Sequence, residues 1–144
     1  MNHKTIFHID INSAFLSWTA AYRVHILGES LDLRDIPSAI CGDSEKRHGI
    51  ILAKSASAKA YGVKTGEPLW KAQQKCPELV VARPDYALYV EASRRFIELL
   101  RKLAPQVEQF SIDEAWADLS GTRHLYGEPL AAAPPYHRAE PAPG

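Results

Sequence analysis

The sequence predicts an α+β fold for a chain of 144 residues. Two strand-like runs with period-two alternation stand far apart in it, "TIFHIDI" and "VEQFSIDEAWADL". One long amphipathic segment, Tyr86 to Leu103, precedes the second run, and the middle offers only short strands and helices. There is no internal repeat.

In "TIFHIDI" the alternation puts Ile6, His8 and Asp10 on one face and Phe7, Ile9 and Ile11 on the other. Asn12 or Ser13 is suited to cap a following helix. In that helix Phe15, Trp18, Tyr22 and Ile26 recur at helical spacing, and Gly28 supplies a stop. "IPSAIC" and "GIILA" read as two short strands, with "GDSEKRHG" as the polar turn between them. "SASAKAYG" reads as a short helix ended by Gly62. "PLWKAQQKC" is another, with Pro68 suited to its first turn. "ELVVARP" reads as a strand. The Tyr86–Leu103 helix carries a stripe of Tyr86, Val90, Ser93, Ile97 and Leu100, and Pro105 closes it. "VEQFSID" and "AWADL" then make two strands joined tightly around Asp113 and Glu114. After Ala133, "PPYHRAEPAPG" holds four of the ten prolines in eleven residues and has no periodicity. That tail is expected to be disordered or aberrant.

Asp113 and Glu114 interrupt a run in which Phe110, Ile112, Ala115, Trp116, Ala117 and Leu119 read as core. Adjacent carboxylates repel, and desolvating either is costly without a compensating cation or donor. A regular strand would send the two side chains to opposite faces, whereas at the bend of a hairpin they can converge. Asp10, at a strand end on a polar-tolerant face, is the candidate third carboxylate. Three carboxylates without clustered Cys or His favour Mg²⁺ over Zn²⁺. Two such ions about 4 Å apart suit phosphoryl transfer. A bare "DE" read by itself fits an inert, soluble turn better than a metal site.

Hydrophobic residues make up 46% of the chain and the formal charge is zero. The stretch "MNHKTIFHIDIN" lacks the long apolar core of a signal peptide, and no run approaches the roughly 18 residues of a membrane span. The two cysteines, Cys41 and Cys76, lack metal-site spacing and read as reduced, buried thiols, which suits a cytoplasmic protein without membrane partners. Charge is unevenly spread. Between Ser44 and Lys75, Lys46, Arg47, Lys54, Lys59, Lys64, Lys71 and Lys75 face only Glu45 and Glu67, while from Asp85 to Asp118 seven acids face four bases. Counting does not separate two solvated faces from a basic lobe for phosphates beside an acidic lobe for metal.

Three blocks, "FHIDINSAFLSW", "GIILAKSASAKAYGVKTGEPLWKAQQKCPEL" and "QFSIDEAWADLSG", resemble in order and spacing the N-terminal part of a Y-family, lesion-bypass DNA polymerase of the UmuC-like group. The resemblance runs from about Lys4 to Ala133, and Asp10 lies 103 positions before Asp113. It implies that Asp10, Asp113 and Glu114 are catalytic and bind two Mg²⁺, with the Ile11 carbonyl as a backbone ligand. It implies that Phe15 is the steric gate against ribonucleotides and that Lys59 meets the incoming triphosphate. Core packing for Phe15 and a solvated lysine for Lys59 are the plain alternatives. Ala56 stands where many members carry a tyrosine, and Ala14 replaces a commonly aromatic neighbour of the gate.

The resemblance also implies an incomplete, ferredoxin-like palm sheet with an inserted small fingers lobe. Residues 1–12 would be the first palm strand, 13–84 the fingers, 85–133 the palm helix and catalytic hairpin, and 134–144 the tail. Family members continue into more palm, a thumb and a DNA-gripping domain, but here the match fades after "TRHLYGEPLAAA". A shifted frame or premature stop accounts for that most simply. The expected activity is translesion DNA synthesis, template-directed nucleotidyl transfer on primed template DNA and deoxynucleoside triphosphates, with weak binding and no turnover by these residues alone. The alternatives are a non-catalytic DNA- or partner-binding remnant, with partner proteins unspecified, and a metal-dependent phosphohydrolase using the same acids.

Overall fold

The computed structural model describes residues 4–42, 49–122, 125 and 140–141, and it is an α+β structure with two small sheets. The chain divides into two compact units, residues 1–11 with 90–144, and residues 12–89.

In the unit of residues 1–11 and 90–144, strands β1 (Ile6–Asp10), β5 (Gln106–Gln109), β6 (Glu114–Asp118) and β7 (Glu140–Pro141) form an antiparallel sheet in the order β5-β6-β1-β7. Between β1 and β6, Phe7 lies opposite Ala117, Ile9 opposite Ala115, His8 opposite Trp116 and Asp10 opposite Glu114. Paired residues share a face, so the predicted alternation is realised. Ile9, Ala115 and Val107 meet Phe96, Ile97 and Leu100 of helix α4 (Tyr86–Leu103) in one apolar cluster. Ala115 and Ala117 are fully buried, because small side chains let a helix approach the sheet. The other face carries the acids, with His8 stacked on Trp116 at 4.4 Å.

Residues 12–89 form a second sheet of β2 (Ser38–Cys41), β3 (Ile51–Lys54) and β4 (Val80–Ala82) in the order β3-β2-β4. β2 pairs antiparallel with β3 and parallel with β4. Both faces of β2 are buried, which is why "SAIC" reads as a continuous run rather than an alternating one. On one face Ala39 and Cys41 pack with Ile51, Ala58, Val63, Leu69 and Cys76, including residues of α2 (Ala56–Ala60) and α3 (Leu69–Lys75). On the other, Ile40 packs with Ala53, Ala82 and Leu33 and with Leu16 and Ala20 of α1 (Ala14–His25). Ile40 opposes Ala53 while Cys41 opposes Ile51, so Leu52 is an extra residue. That bulge sends Ile51 and Ala53 to different faces.

Several sequence expectations need correction. α1 buries Ala14, Leu16, Thr19 and Ala20, not a stripe of Phe15, Trp18, Tyr22 and Ile26. Tyr22 is 37% exposed and Ile26 69%. Close packing on the sheet selects small residues, and the aromatics fall to the flank. Ser13 occupies the N-cap with φ 46° and makes no side-chain cap bond. In α4 the buried positions are Tyr89, Ser93, Ile97 and Leu100, while Tyr86 and Val90 are exposed, so the stripe begins one turn differently. Phe110 is 68% exposed, outside the core, because β5 ends at Gln109. Cys41 and Cys76 are buried and neither is in a disulfide. Residues 43–48 of the predicted turn at 42–49 lie outside the described residues, as does most of the 134–144 tail, of which Glu140–Pro141 is described as an edge strand.

Candidate active site

Asp10 ends β1, Glu114 opens β6 directly opposite it, and Asp113 stands in the turn just before. The turn breaks strand geometry at Asp113, so its side chain is not sent to the face opposite Glu114. One carboxylate oxygen from each of Asp10, Asp113 and Glu114 lies within 4.8 Å of the others. Asp10 is exposed, and the other two are half-buried.

Hydrogen bonds fix this turn. Ile11 N–H donates to the Asp113 carbonyl at 3.0 Å, tying the end of β1 to the turn. The Glu114 carbonyl accepts from Phe110 N–H at 3.0 Å and from Ser111 N–H at 3.2 Å. From α4, the Ser93 hydroxyl donates to the Ile112 carbonyl at 2.5 Å. Gln109 Nε2 donates to Ser93 Oγ and to the Ser111 carbonyl, closing a small network beneath the acids. The Ser111 hydroxyl lies 3.0 Å from Asp113 Oδ1 and 3.1 Å from Glu114 Oε2. One hydroxyl proton cannot satisfy two carboxylates at once, so the repulsion between them persists. Partial desolvation beside the sheet raises the Asp10 carboxyl above its ordinary value although the residue is exposed, the Asp113 and Glu114 charges raise it further, and His8 opposes them. Three clustered anions, two of them sharing a single hydroxyl donor, suit a hard divalent cation bound through oxygen.

Ser111, Ser93 and Gln109 are not among the site residues expected from the sequence, where Ser93 figured only in the stripe of α4. The signal available was a serine inside the apolar stripe of α4, since a buried hydroxyl needs a partner.

Phe15 and Lys59 belong to the unit of residues 12–89. Phe15 is half-buried on α1, partly packed against the cluster of Leu16 and Ile40. Its ring lies flat on Tyr89 at 4.3 Å, with Tyr86 edge-on at 6.2 Å. Lys59 is exposed in the last turn of α2, and among the described residues no carboxylate pairs with it. Ser55 anchors that short helix, its Oγ accepting from Ala58 N–H and from Ser38 N–H of β2. Ala56 is exposed at the start of α2, and Ala14 is buried in α1.

Residues 9–137 match the impB/mucB/samB family (IMS), and the chain belongs to that family. It is 48% identical over 117 residues to the DNA polymerase IV of Clostridium acetobutylicum, covering 81% of this chain and 29% of that protein. With the DNA polymerase IV of Acetivibrio thermocellus it shares 40% identity over 125 residues, 87% of this chain and 30% of that one. Among solved structures it is similar to DinB from Sulfolobus solfataricus, with a TM-score of 0.69 and 25% identity over 85% of this chain and 33% of that one. A Y-family DNA polymerase chimera matches with a TM-score of 0.67 and 26% identity, over 85% of this chain and 34% of that one. The resemblance carried by the three sequence blocks and the α+β fold therefore both hold. The chain spans about three-tenths of the length of the curated relatives it matches.

Proposed function

We propose that these residues carry the nucleotidyl-transfer centre of a lesion-bypass DNA polymerase. The observation behind this reading is the convergence of Asp10, Asp113 and Glu114 within 4.8 Å, inside the stretch that matches the family.

The donor set fits Mg²⁺, because all three side chains offer hard oxygens and none offers nitrogen or sulfur. Asp10, Asp113 and Glu114, with the Ile11 carbonyl, would hold two ions. When bound, these supply charge neutralisation at the α-phosphate and lower the barrier to attack by a primer 3′-oxygen as pyrophosphate leaves. The chain's own residues position and exclude. The Ser93–Gln109 network keeps the turn in place, Ser111 steadies two of the acids, and Ile11 N–H ties β1 to them. Phe15 rejects a sugar carrying a 2′-hydroxyl, and Lys59 attracts the triphosphate of a deoxynucleotide. The buried thiols accord with a cytoplasmic setting.

Alone, these 144 residues lack counterparts to about seven-tenths of their relatives. Phosphate contacts supply much of a polymerase's grip on DNA, so primed template should bind weakly and be lost on adding salt. The test is primer extension by the purified chain with Mg²⁺ and four deoxynucleotides, with Asp113→Asn as control. The expected result is no detectable extension, together with a Mn²⁺-dependent relaxation enhancement of water that Asp113→Asn abolishes. Extension that disappears in Asp113→Asn would overturn the reading that these residues are inactive alone. A metal signal unaffected by Asp113→Asn would overturn the assigned site.

A further inference from the structure

We propose that Thr19 is a positioning residue for the Phe15 ring, acting through Tyr89. This rests on the reading of Phe15 as the group that selects the sugar.

Tyr89 is fully buried and is the largest side chain so enclosed among the described residues. Its hydroxyl shares a 2.6 Å hydrogen bond with the Thr19 hydroxyl, in which either can donate, and Thr19 is itself 5% exposed. A buried phenol without a partner is costly, so this contact decides where the far end of the Tyr89 ring sits. The near face of the same ring carries Phe15, stacked at 4.3 Å with only 7° between the planes. Tyr86 meets both rings nearly perpendicular, at 6.2 Å from Phe15 and 6.1 Å from Tyr89. Phe15 therefore rests against a fixed wall on one face and an edge on its flank, and the residue as a whole stays half-buried.

Phe15 and Thr19 are four residues apart on α1, so they lie on one face of the helix a turn apart. The same helix thus presents the gate and holds the ring on which the gate leans. A flat aromatic stack transmits displacement directly, because closing the 4.3 Å gap meets van der Waals repulsion and opening it leaves a void. Releasing the Tyr89 hydroxyl lets its ring tilt, and Phe15 follows. Sugar discrimination depends on sub-ångström placement of a blocking ring, so a hydroxyl that touches no nucleotide sets how sharply ribose is refused.

The experiment uses the 144-residue chain with isotope-labelled phenylalanine rings, Phe15 being assigned by its loss in Phe15→Leu. In the starting protein, the Tyr89 face displaces the Phe15 ring protons upfield. Thr19→Val keeps the shape of the side chain and removes the hydroxyl, and it is expected to abolish that displacement. The ratio of ATP to dATP dissociation constants with Mg²⁺ should fall about threefold to tenfold, the range one net hydrogen bond supports. Thr19→Ser should restore both readouts. Should Thr19→Val leave Tyr89 too strained to fold, Thr19→Val with Tyr89→Phe removes both partners, a change that can be nearly neutral for stability. A purely structural role predicts that this double variant regains both the melting midpoint and the Phe15 resonances. The positioning role predicts the midpoint without the resonances. Phe15 resonances unchanged in the double variant overturn the proposal. If Phe15→Ala leaves the ATP-to-dATP ratio unchanged, the gate reading falls, and the Phe15 resonances alone still decide what Thr19 does.

Discussion

In the unit of residues 12–89 the central strand β2 is buried along its whole length, between α1 on one face and α2 with α3 on the other. In the other unit, β1 is only half-buried and ends on an exposed aspartate, with α4 on one face of its sheet. Ile6, Trp116 and Asp118 on its opposite face help line an open cleft of about 730 Å³ with Lys4 and Arg101. The first sheet is organised by apolar burial, and the second is kept open enough for charge. The comparison shows where the chain places stability and where it places chemistry. Three carboxylates can sit together only where solvent and a cation can reach them, and there a hydrogen-bonded turn substitutes for a core.

The largest effects should separate chemistry from stability. In a chain joined to the remainder of the Clostridium acetobutylicum DNA polymerase IV, Asp113→Asn should lower primer extension by at least about a thousandfold, the scale of several kcal/mol of metal-borne charge stabilisation. Its melting midpoint without divalent cations should hold or rise. Loss of activity that merely tracked unfolding would break the division drawn above.

Core deletions test the other side. Ile40→Ala, on the fully buried strand β2, should cost about 2–5 kcal/mol in urea unfolding. Ile97→Ala removes a side chain from a cluster that holds three buried residues among those described, and it should fall at the lower end of that range. The reverse order would show that the open sheet is the better packed. Ser93→Ala should cost about 1–3 kcal/mol by leaving the Ile112 carbonyl and Gln109 without their shared partner. It should also weaken Mn²⁺ binding, whereas Ile40→Ala should not.

How much of this was legible in the sequence differs between the two regions. The convergence of Asp10, Asp113 and Glu114 was legible because β1 and the hairpin follow simple period-two and turn rules, and the motif blocks set them together. The buried face of α1 was not, because hydrophobicity ranks Trp18 and Tyr22 above Ala20. The helix packs instead by closeness of approach, which favours Ala20 and Leu16. Nor was the start of the α4 stripe, since Tyr86 and Tyr89 are chemically alike and only the folded contacts, the flat stack on Phe15 and the hydrogen bond to Thr19, single out Tyr89. Ser111 and Gln109 were hidden for a different reason. Their partners are the Ser93 hydroxyl of α4, a backbone carbonyl and neighbouring carboxylates, brought within reach only once the hairpin is closed against that helix.

Ser13 gives a smaller test on the 12–89 side. It holds φ 46°, the single positive-φ residue other than glycine among those described, and no side-chain cap bond offsets it. Ser13→Gly should therefore stabilise the chain by about 1 kcal/mol, the usual cost of left-handed backbone for a residue with a Cβ. A loss of stability would mean the Ser13 side chain contributes something that its backbone does not show.

The smallest effect is electrostatic, and its sign separates a frustrated cluster from an ordinary surface acid. Burial first, then the Asp113 and Glu114 charges, raise the folded-state pKa of Asp10 above its ordinary value of 3.8. A raised carboxyl binds more protons folded than unfolded, so its contribution to stability declines as pH rises from 3.8 through the folded value. Below 3.8 the group is protonated in both states, and Asp10→Asn should match the parent protein. Above the folded value the full repulsion is present, and Asp10→Asn should be the more stable by about 0.5 kcal/mol, since the group is exposed and solvent screens it. Thermal melts across this range without divalent cations measure the difference. Adding Mg²⁺ at neutral pH should reverse it, because the cation stabilises the three-carboxylate cluster and finds only two carboxylates in the variant. An advantage for Asp10→Asn that grew as pH fell would mean that Asp10 is held by a favourable partner, and the cluster would then be a settled surface rather than one waiting for a cation.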